Sequence, residues 1–243
     1  MLNEKHEIAK LLKVPVAGAA LTIAIKEFQK RAGLPQTGVP SPKMWEILAG
    51  DHKSKIVPIN KIDDPKEDLD DDDQATEPAK VSENLPTCAS ILELYALFAN
   101  TDWDAVMKKR NIKEVFYHCT ATRQDATFTA LQNGWRARGW KNDGYHICVN
   151  AAGDWILFVP FENVSNGVGG RNSGALNMSY IGGINKNGRA EDNRTPEQIE
   201  FHKHFHYLVK KHLPKAEERG HNEVAAKACP SYNLKNWLKT LNS

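Results

Sequence analysis

A histidine and a cysteine eight residues apart, His221 and Cys229, lie near the end of this chain in Gly220-His221-Asn222-Glu223-Val224-Ala225-Ala226-Lys227-Ala228-Cys229-Pro230-Ser231. Zinc accepts imidazole nitrogen and thiolate sulfur, and Lys227, two residues before the cysteine, can bring a cation to the same pocket. A catalytic zinc usually has three protein ligands and an open position, so a third donor is required. The best candidate is His118, which ends the apolar run Val115-Phe116-Tyr117-His118 and so stands on a buried strand. Side chains alternate across a strand, so the adjacent Cys119 faces the other way and does not readily bind the same ion. Taken alone, the His221–Cys229 spacing is a weak metal signal. A lone cysteine is most often a small buried hydrophobe.

A second group of histidines offers a rival. Thr195-Pro196-Glu197-Gln198 is a strong helix start, with a capping residue, proline at the first position and Gln completing the box. The helix it opens should run to about His212 and carries His202, His204 and His206. His202 and His206 are one helical turn apart, but Lys203 stands where a His-Glu-x-x-His protease has its glutamate. These histidines are therefore expected at surface or half-buried positions of an amphipathic helix.

The elements that must position the first group follow from pattern. Residues 127–138 read as a helix, and Gly144–Asn150 reads as a strand. A turn at Ala152-Gly153-Asp154 returns the chain through Trp155-Ile156-Leu157-Phe158-Val159 as a hairpin, and Tyr180–Asn185 is expected to be a short central strand. Residues 91–110 are helical in pattern with a break near Asn100-Thr101 and should pack on this domain without chemistry of their own.

Charge divides the 243 residues into three blocks: +3 over 1–50, −6 over 51–87 and +5 over 88–243. The acidic block, with Asp63-Asp64-Pro65-Lys66-Glu67-Asp68-Leu69-Asp70-Asp71-Asp72-Asp73 inside it, is too charged and too poor in apolar residues to repay ordering, so it reads as an extended linker. It lacks the spacing and terminal Glu of a calcium-binding EF-hand loop. Before it, short helices over 5–13, about 19–32 and from Ser41-Pro42 make a very small domain. The middle helix ends at Gly33, and the last carries Met44, Trp45 and Leu48. Cys88, Cys119, Cys148 and Cys229 show no paired spacing, which argues against a disulfide framework. The apolar run Val14–Ile25 continues directly into a helix and is preceded by Glu4 and Glu7, so it reads as folded sequence and not as an export signal. No stretch reaches the roughly 18 apolar residues that a membrane span needs. A mild positive balance suits an anionic polymer as well as a generic solvated surface.

Two resemblances sharpen this. Thr22-x-x-Ile25-x-x-Phe28-Gln29, Gly33-Leu34-Pro35-Gln36-Thr37-Gly38 and Trp45-x-x-Leu48 resemble the three-helix peptidoglycan-binding module of wall-lytic enzymes, although Val16-Ala17-Gly18 replaces its Asp-Gly-rich loop. Then Phe116-Tyr117-His118-Cys119-Thr120-Ala121-Thr122, Gly144-Tyr145-His146, Ile181-Gly182-Gly183-Ile184-Asn185, Thr195-Pro196-Glu197-Gln198 and His221-x5-Lys227-Ala228-Cys229-Pro230-Ser231 occur in order. Over about residues 112–240 they resemble the type-2 N-acetylmuramoyl-L-alanine amidases, the bacteriophage lysozyme-like amidases related to peptidoglycan recognition proteins. The resemblance implies an α/β fold, a mixed central β-sheet flanked by helices. It implies Zn2+ held by His118, His221 and Cys229, with Tyr145 and Lys227 as catalytic companions. The family's usual loop histidine and Asn-Ser-Ile-Gly-like strand entry are missing, replaced by Asn166-Gly167-Val168-Gly169-Gly170 and Gly174-Ala175-Leu176-Asn177.

The expected organisation is a peptidoglycan-binding module over 1–50, an acidic linker over 51–87 and a zinc amidase domain over 88–243. The expected activity is hydrolysis of the amide between N-acetylmuramic acid and L-alanine, with peptidoglycan as partner, no nucleic acid, no membrane span and a monomeric chain. Without an export signal, the protein is expected to be made in the cytoplasm and to reach the wall through a phage holin, a secretion system or lysis, as an endolysin or a secreted antibacterial effector. A non-catalytic recognition protein is the alternative from another class, and non-catalytic relatives typically lack the cysteine ligand that Cys229 supplies here. A small-molecule zinc hydrolase would leave the N-terminal module without a purpose.

Overall fold

The computed structural model describes residues 25–26, 28–51 and 91–241. The expected helix over 5–13, the first part of the helix over 19–32, residues 52–87 of the acidic linker and Cys88 lie outside the described residues. In chain order the elements are α1 (Pro42–Asp51), α2 (Ile91–Asn100), α3 (Trp103–Arg110), β1 (Glu114–Cys119), α4 (Phe128–Arg136), β2 (Ile147–Val149), β3 (Trp155–Leu157), β4 (Ala175–Tyr180), α5 (Pro196–His212), β5 (Glu217–Gly220) and α6 (Leu234–Leu241).

The five strands form one mixed sheet in the order β3-β2-β4-β1-β5. β1 runs parallel to both β4 and β5, β2 parallel to β4, and only β3 antiparallel, closing the expected hairpin with β2. The pairing sets Phe116 opposite Asn177 and His118 opposite Ser179, so these four side chains share one face. Tyr117, between them, points to the other face, where it meets His202 and Phe205 of α5 edge-on. The result is a sheet with α2 and α5 packed behind it, and α4 together with the strand-end loops around His118 in front.

α5 starts as its sequence demands. The Thr195 hydroxyl accepts from the Gln198 amide, the Gln198 side chain accepts from the Thr195 amide, and Pro196 opens the first turn. The central strand departs from expectation: it is Ala175–Tyr180, and not Tyr180–Asn185. All six of its residues are buried, because it lies between two parallel neighbours with both faces covered, so it carries no hydrophobic alternation to read. Gly182 and Gly183 leave the strand at φ +141° and +93°, values that L side chains rarely adopt.

The histidines of α5 are also unlike their expectation. His202, His204 and His206 are all buried. His204 bonds the Tyr95 hydroxyl of α2 at 3.0 Å, and His206 bonds Glu218 of β5 at 2.9 Å. Glu218 is itself buried and also accepts from the Tyr117 hydroxyl at 2.6 Å. A helix packed between a sheet and a second helical layer buries more than one face, so polar residues on it must find partners.

That second layer includes the N-terminal residues. Met44 and Trp45 of α1 are fully buried in the same core cluster as Leu92, Leu94 and Tyr95 of α2, and Trp45 meets His204 edge-on with ring centroids 6.3 Å apart. Glu46 accepts a hydrogen bond from the Tyr207 hydroxyl at 2.9 Å and pairs with Lys211, which fixes α1 against α5. Gln29, also buried, accepts from the Gly38 amide at 3.0 Å and donates to the Val39 carbonyl at 2.7 Å, holding the turn that leads into α1.

Removing a buried Trp side chain typically costs about 3–5 kcal/mol, from lost transfer energy and the cavity left behind. We expect Trp45→Ala to lower stability by that order and to raise hydrogen exchange in α2 as well as α1. Faster exchange confined to residues 42–51 would show that this helix does not share the core of the sheet domain.

Candidate metal centre

His118 arrives on β1, which like β4 is bonded to parallel neighbours on both sides, with its side chain on the front face and essentially no exposure. β5 runs alongside β1 and delivers His221 immediately after its last residue, Gly220. Cys229 comes back to the same place because the Asn222 amide donates to its carbonyl at 2.7 Å, closing the loop between the two residues. The loop is pinned further by the Tyr180 hydroxyl on the Pro230 carbonyl at 2.9 Å and by Ser231 Oγ on the Gly183 carbonyl at 2.8 Å. The donor atoms of His118, His221 and Cys229 all fall within 4.8 Å of one another and can hold a metal ion. The rings of His118 and His221 are edge-on at 4.8 Å, and Cys229 Sγ is 3.6 Å from His118 Nδ1.

Cys119 is near but turned away. Its amide donates to Cys229 Sγ at 3.2 Å, while its own Sγ lies 3.4 Å from Ser231 Oγ on the other side of the strand. His202 and His206, the rival pair, are drawn into the core and, among the described residues, belong to no cluster of three donors.

Tyr145 stands beside the site, its ring 5.1 Å from that of His118 and its hydroxyl donating to the Cys119 carbonyl at a long 3.4 Å. The segment before it is held firmly: buried Asp143 pairs with Arg136 at 2.7 Å and accepts from Gln132 at 3.0 Å. Gly144 has no room for a side chain, since a Cβ there would fall 2.8 Å from the Trp135 indole. Lys227 is exposed at the rim, and its charge reaches both histidines.

The electrostatics favour neutral donors. Burial depresses His118 to about 3, with His221 and Lys227 adding to the effect. Burial and then Lys227 lower His221. Both rings therefore present lone pairs at neutral pH. The Cys119 side chain and burial push the Cys229 thiol up, so its proton must leave when a cation binds. Burial raises Tyr145 far above the usual phenol range and keeps it a hydrogen-bond donor.

Behind His118 lies a polar network without a counterpart in the sequence reading. His118 Nε2 is 2.9 Å from Asn177 Oδ1, and Asn177 Nδ2 donates to Ser165 Oγ at 2.9 Å. His146 Nδ1 is 2.9 Å from Ser165 Oγ. Arg110, at the end of a helix expected to be inert, lies 3.0 Å from His146 and donates to the carbonyls of Phe161, Asn172 and Ala175. The one available signal was polar: Asn177 and Ser179 interrupt an apolar strand at alternate positions.

Residues 108–232, more than half of the chain, match the N-acetylmuramoyl-L-alanine amidase family, and residues 15–48 match the peptidoglycan binding domain family. The endolysin of Enterobacteria phage K11 is 31% identical over 135 residues, covering 55% of this chain and 89% of that protein. The endolysin of Escherichia phage T7 is 28% identical over 132 residues, covering 54% and 87% respectively. Among solved structures, the endolysin amidase LysCS from Clostridium intestinale URNW is similar with a TM-score of 0.47 at 24% identity, covering 55% of this chain and 86% of that one. No helix among the described residues is long and apolar enough to cross a membrane. The chain belongs to the N-acetylmuramoyl-L-alanine amidase family and is a peptidoglycan-hydrolysing amidase.

Proposed function

We propose that the chain is a zinc-dependent amidase of the endolysin type, with His118, His221 and Cys229 as the ligands and Tyr145 and Lys227 acting on substrate. The observation that carries it is the convergence of two neutral imidazoles and one thiol at a single point on the front of the sheet. Two nitrogens and one sulfur suit zinc, whose bond lengths of roughly 2.0–2.3 Å place tetrahedral ligand atoms about 3.5 Å apart, close to the observed 3.6 Å between Cys229 Sγ and His118 Nδ1. Three protein donors leave a fourth position open, the pattern of a catalytic rather than a structural site.

Bound zinc supplies Lewis acidity, which makes water a stronger nucleophile at neutral pH and draws charge from the scissile carbonyl. The chain's own residues do the rest. Water adds to the lactyl carbonyl carbon, and the C–N bond to L-alanine then breaks as its nitrogen takes a proton. Lys227, charged and at the rim, faces the oxygen on which negative charge develops. The Tyr145 phenol, held protonated by burial and only weakly engaged with the Cys119 carbonyl, is free to donate to that same oxygen. Trp135 packs on Tyr145 edge-on at 5.6 Å and holds the ring in place.

In this reading residues 1–50 bind the wall, joined through the acidic linker over 51–87 to the catalytic domain over 88–243. The chain works as a monomer on peptidoglycan after release from the cell that made it. The family match over residues 15–48 and the endolysin relatives support this arrangement.

Mass spectrometry of digested sacculi should show new free L-alanine amino termini on released stem peptides and uncut glycan strands. Cleavage within the glycan or the peptide would overturn the assignment. Sacculi should also retain less of a chain lacking residues 1–87 than of the full chain, with circular dichroism showing that the shortened chain is folded, and equal retention removes the binding role.

Purified protein should carry about one zinc per chain. Cys229→Ser should lose zinc and activity together, whereas Cys119→Ser should keep both. The reverse pattern would reassign the sulfur ligand.

Lys227→Ala should keep its zinc and lose about 100- to 1000-fold in kcat, the usual effect of removing one preorganised oxyanion donor. Lys227→Arg should restore only part of this, because a planar guanidinium does not take the ammonium's place. Tyr145→Phe should lower kcat with little change in wall binding. A zinc-loaded Lys227→Ala enzyme with normal turnover would make this lysine structural only.

A further inference from the structure

We propose that Asn177 is the positioning residue that sets the tautomer of His118 and aims its Nδ1 at the metal, and that Gly167 is a glycine in order to leave room for it. The proposal rests on His118 being a metal ligand.

The argument follows the protons. The Asn177 backbone N–H can only donate, and it points at His146 Nδ1 from 3.0 Å, so that nitrogen is an acceptor. The neutral His146 ring then carries its proton on Nε2, which donates to the Asn163 carbonyl oxygen at 3.0 Å; Arg110 Nη1, also 3.0 Å from Nε2, gives its hydrogen to the Phe161 carbonyl at 2.6 Å. With Nδ1 an acceptor, the Ser165 hydroxyl donates to it at 2.9 Å, which leaves Ser165 Oγ to accept from elsewhere. What it accepts is Asn177 Nδ2–H, at 2.9 Å. The amide nitrogen of Asn177 therefore faces Ser165, and its Oδ1 faces His118 Nε2 at 2.9 Å. Oδ1 cannot donate, so His118 carries its proton on Nε2 and its lone pair on Nδ1. Nδ1 is the nitrogen 3.6 Å from Cys229 Sγ.

Two further observations fix Asn177 itself. It is 1% exposed, so no water competes for its amide. A Cβ on Gly167 would lie 2.3 Å from Asn177 Cγ and Oδ1, a separation that real atoms do not adopt. The loop over residues 165–168 thus gives Asn177 both a hydrogen-bond partner, Ser165, and a space, Gly167. Metal-bound histidines generally need such an acceptor on the second ring nitrogen, and losing it typically costs about 10- to 100-fold in metal affinity.

The test uses the full chain stripped of metal. Chelator competition should show Asn177→Ala binding zinc about 10- to 100-fold more weakly than the parent, while Asn177→Asp, which keeps an oxygen facing Nε2, recovers most of that loss. Nitrogen NMR of His118 in the metal-free protein should report the Nε2–H form in the parent and in Asn177→Asp, and a mixture of tautomers in Asn177→Ala. Gly167→Ala should weaken zinc binding by itself, and should add little on top of Asn177→Ala because both act through one contact. Unchanged zinc affinity and an unchanged His118 tautomer in a folded Asn177→Ala or Gly167→Ala protein would overturn the proposal. Failure of the underlying metal reading would look different: Cys229→Ser would then bind zinc as tightly as the parent.

Discussion

Strand β1 is hydrogen-bonded to parallel neighbours on both sides, and this double pairing leaves its register no freedom. A one-residue slip would exchange every side chain between the faces, sending His118 into the helical core and Tyr117 to the front. Tyr117 guards against that exchange. Its ring fills the space beside Phe205 and His202, and its hydroxyl donates to buried Glu218 at 2.6 Å. Glu218 in turn needs that bond and His206, because a buried carboxylate left unpaired costs several kcal/mol. The rear face thus sets the front one, and the His118 position is a consequence of packing on the opposite side of the sheet.

The front face has the opposite electrostatic character. His118 and His146 are both held neutral by burial, each depressed to about 3, and Tyr145 is kept protonated. A pocket of neutral donors and acceptors can organise itself through proton direction alone, without ion pairs that would compete for a bound cation. Arg110 is the formal charge buried beside it: its Nη1 lies 3.0 Å from His146 Nε2, and its guanidinium donates to the carbonyls of Phe161, Asn172 and Ala175. Lys227 is exposed at the rim.

Much of this was legible from residue types and order. The strand under His118, the capping box of α5 and the hairpin of β2 and β3 follow from local chemistry that a linear sequence carries directly, whereas the grouping of His118 with His221 and Cys229 rests on the order of the family motifs, their spacing alone being a weak signal. Other features were hidden for physical reasons. β4 is covered on both faces, so the alternation that identifies a half-buried strand is missing, and its Gly-Gly exit was mistaken for its body. The histidines of α5 look amphipathic in sequence, yet the helix lies between two layers and their partners, Tyr95 and Glu218, are far away in the chain. Arg110 finds backbone carbonyls 51 to 65 residues later, and such acceptors leave no mark on residue type.

The position of α1 bears on how wall binding and catalysis combine. Tethered sites gain affinity through effective concentration, which is highest when the spacer matches the distance it must bridge. Here α1 packs on α2 and α5 behind the sheet, with Trp45 buried and Glu46 bonded to Tyr207 and Lys211. The face of α1 that carries Met44 and Trp45 is therefore committed to the core and unavailable to a glycan. A wall contact made by this segment must use its outward surface while the catalytic pocket opens on the opposite side of the sheet.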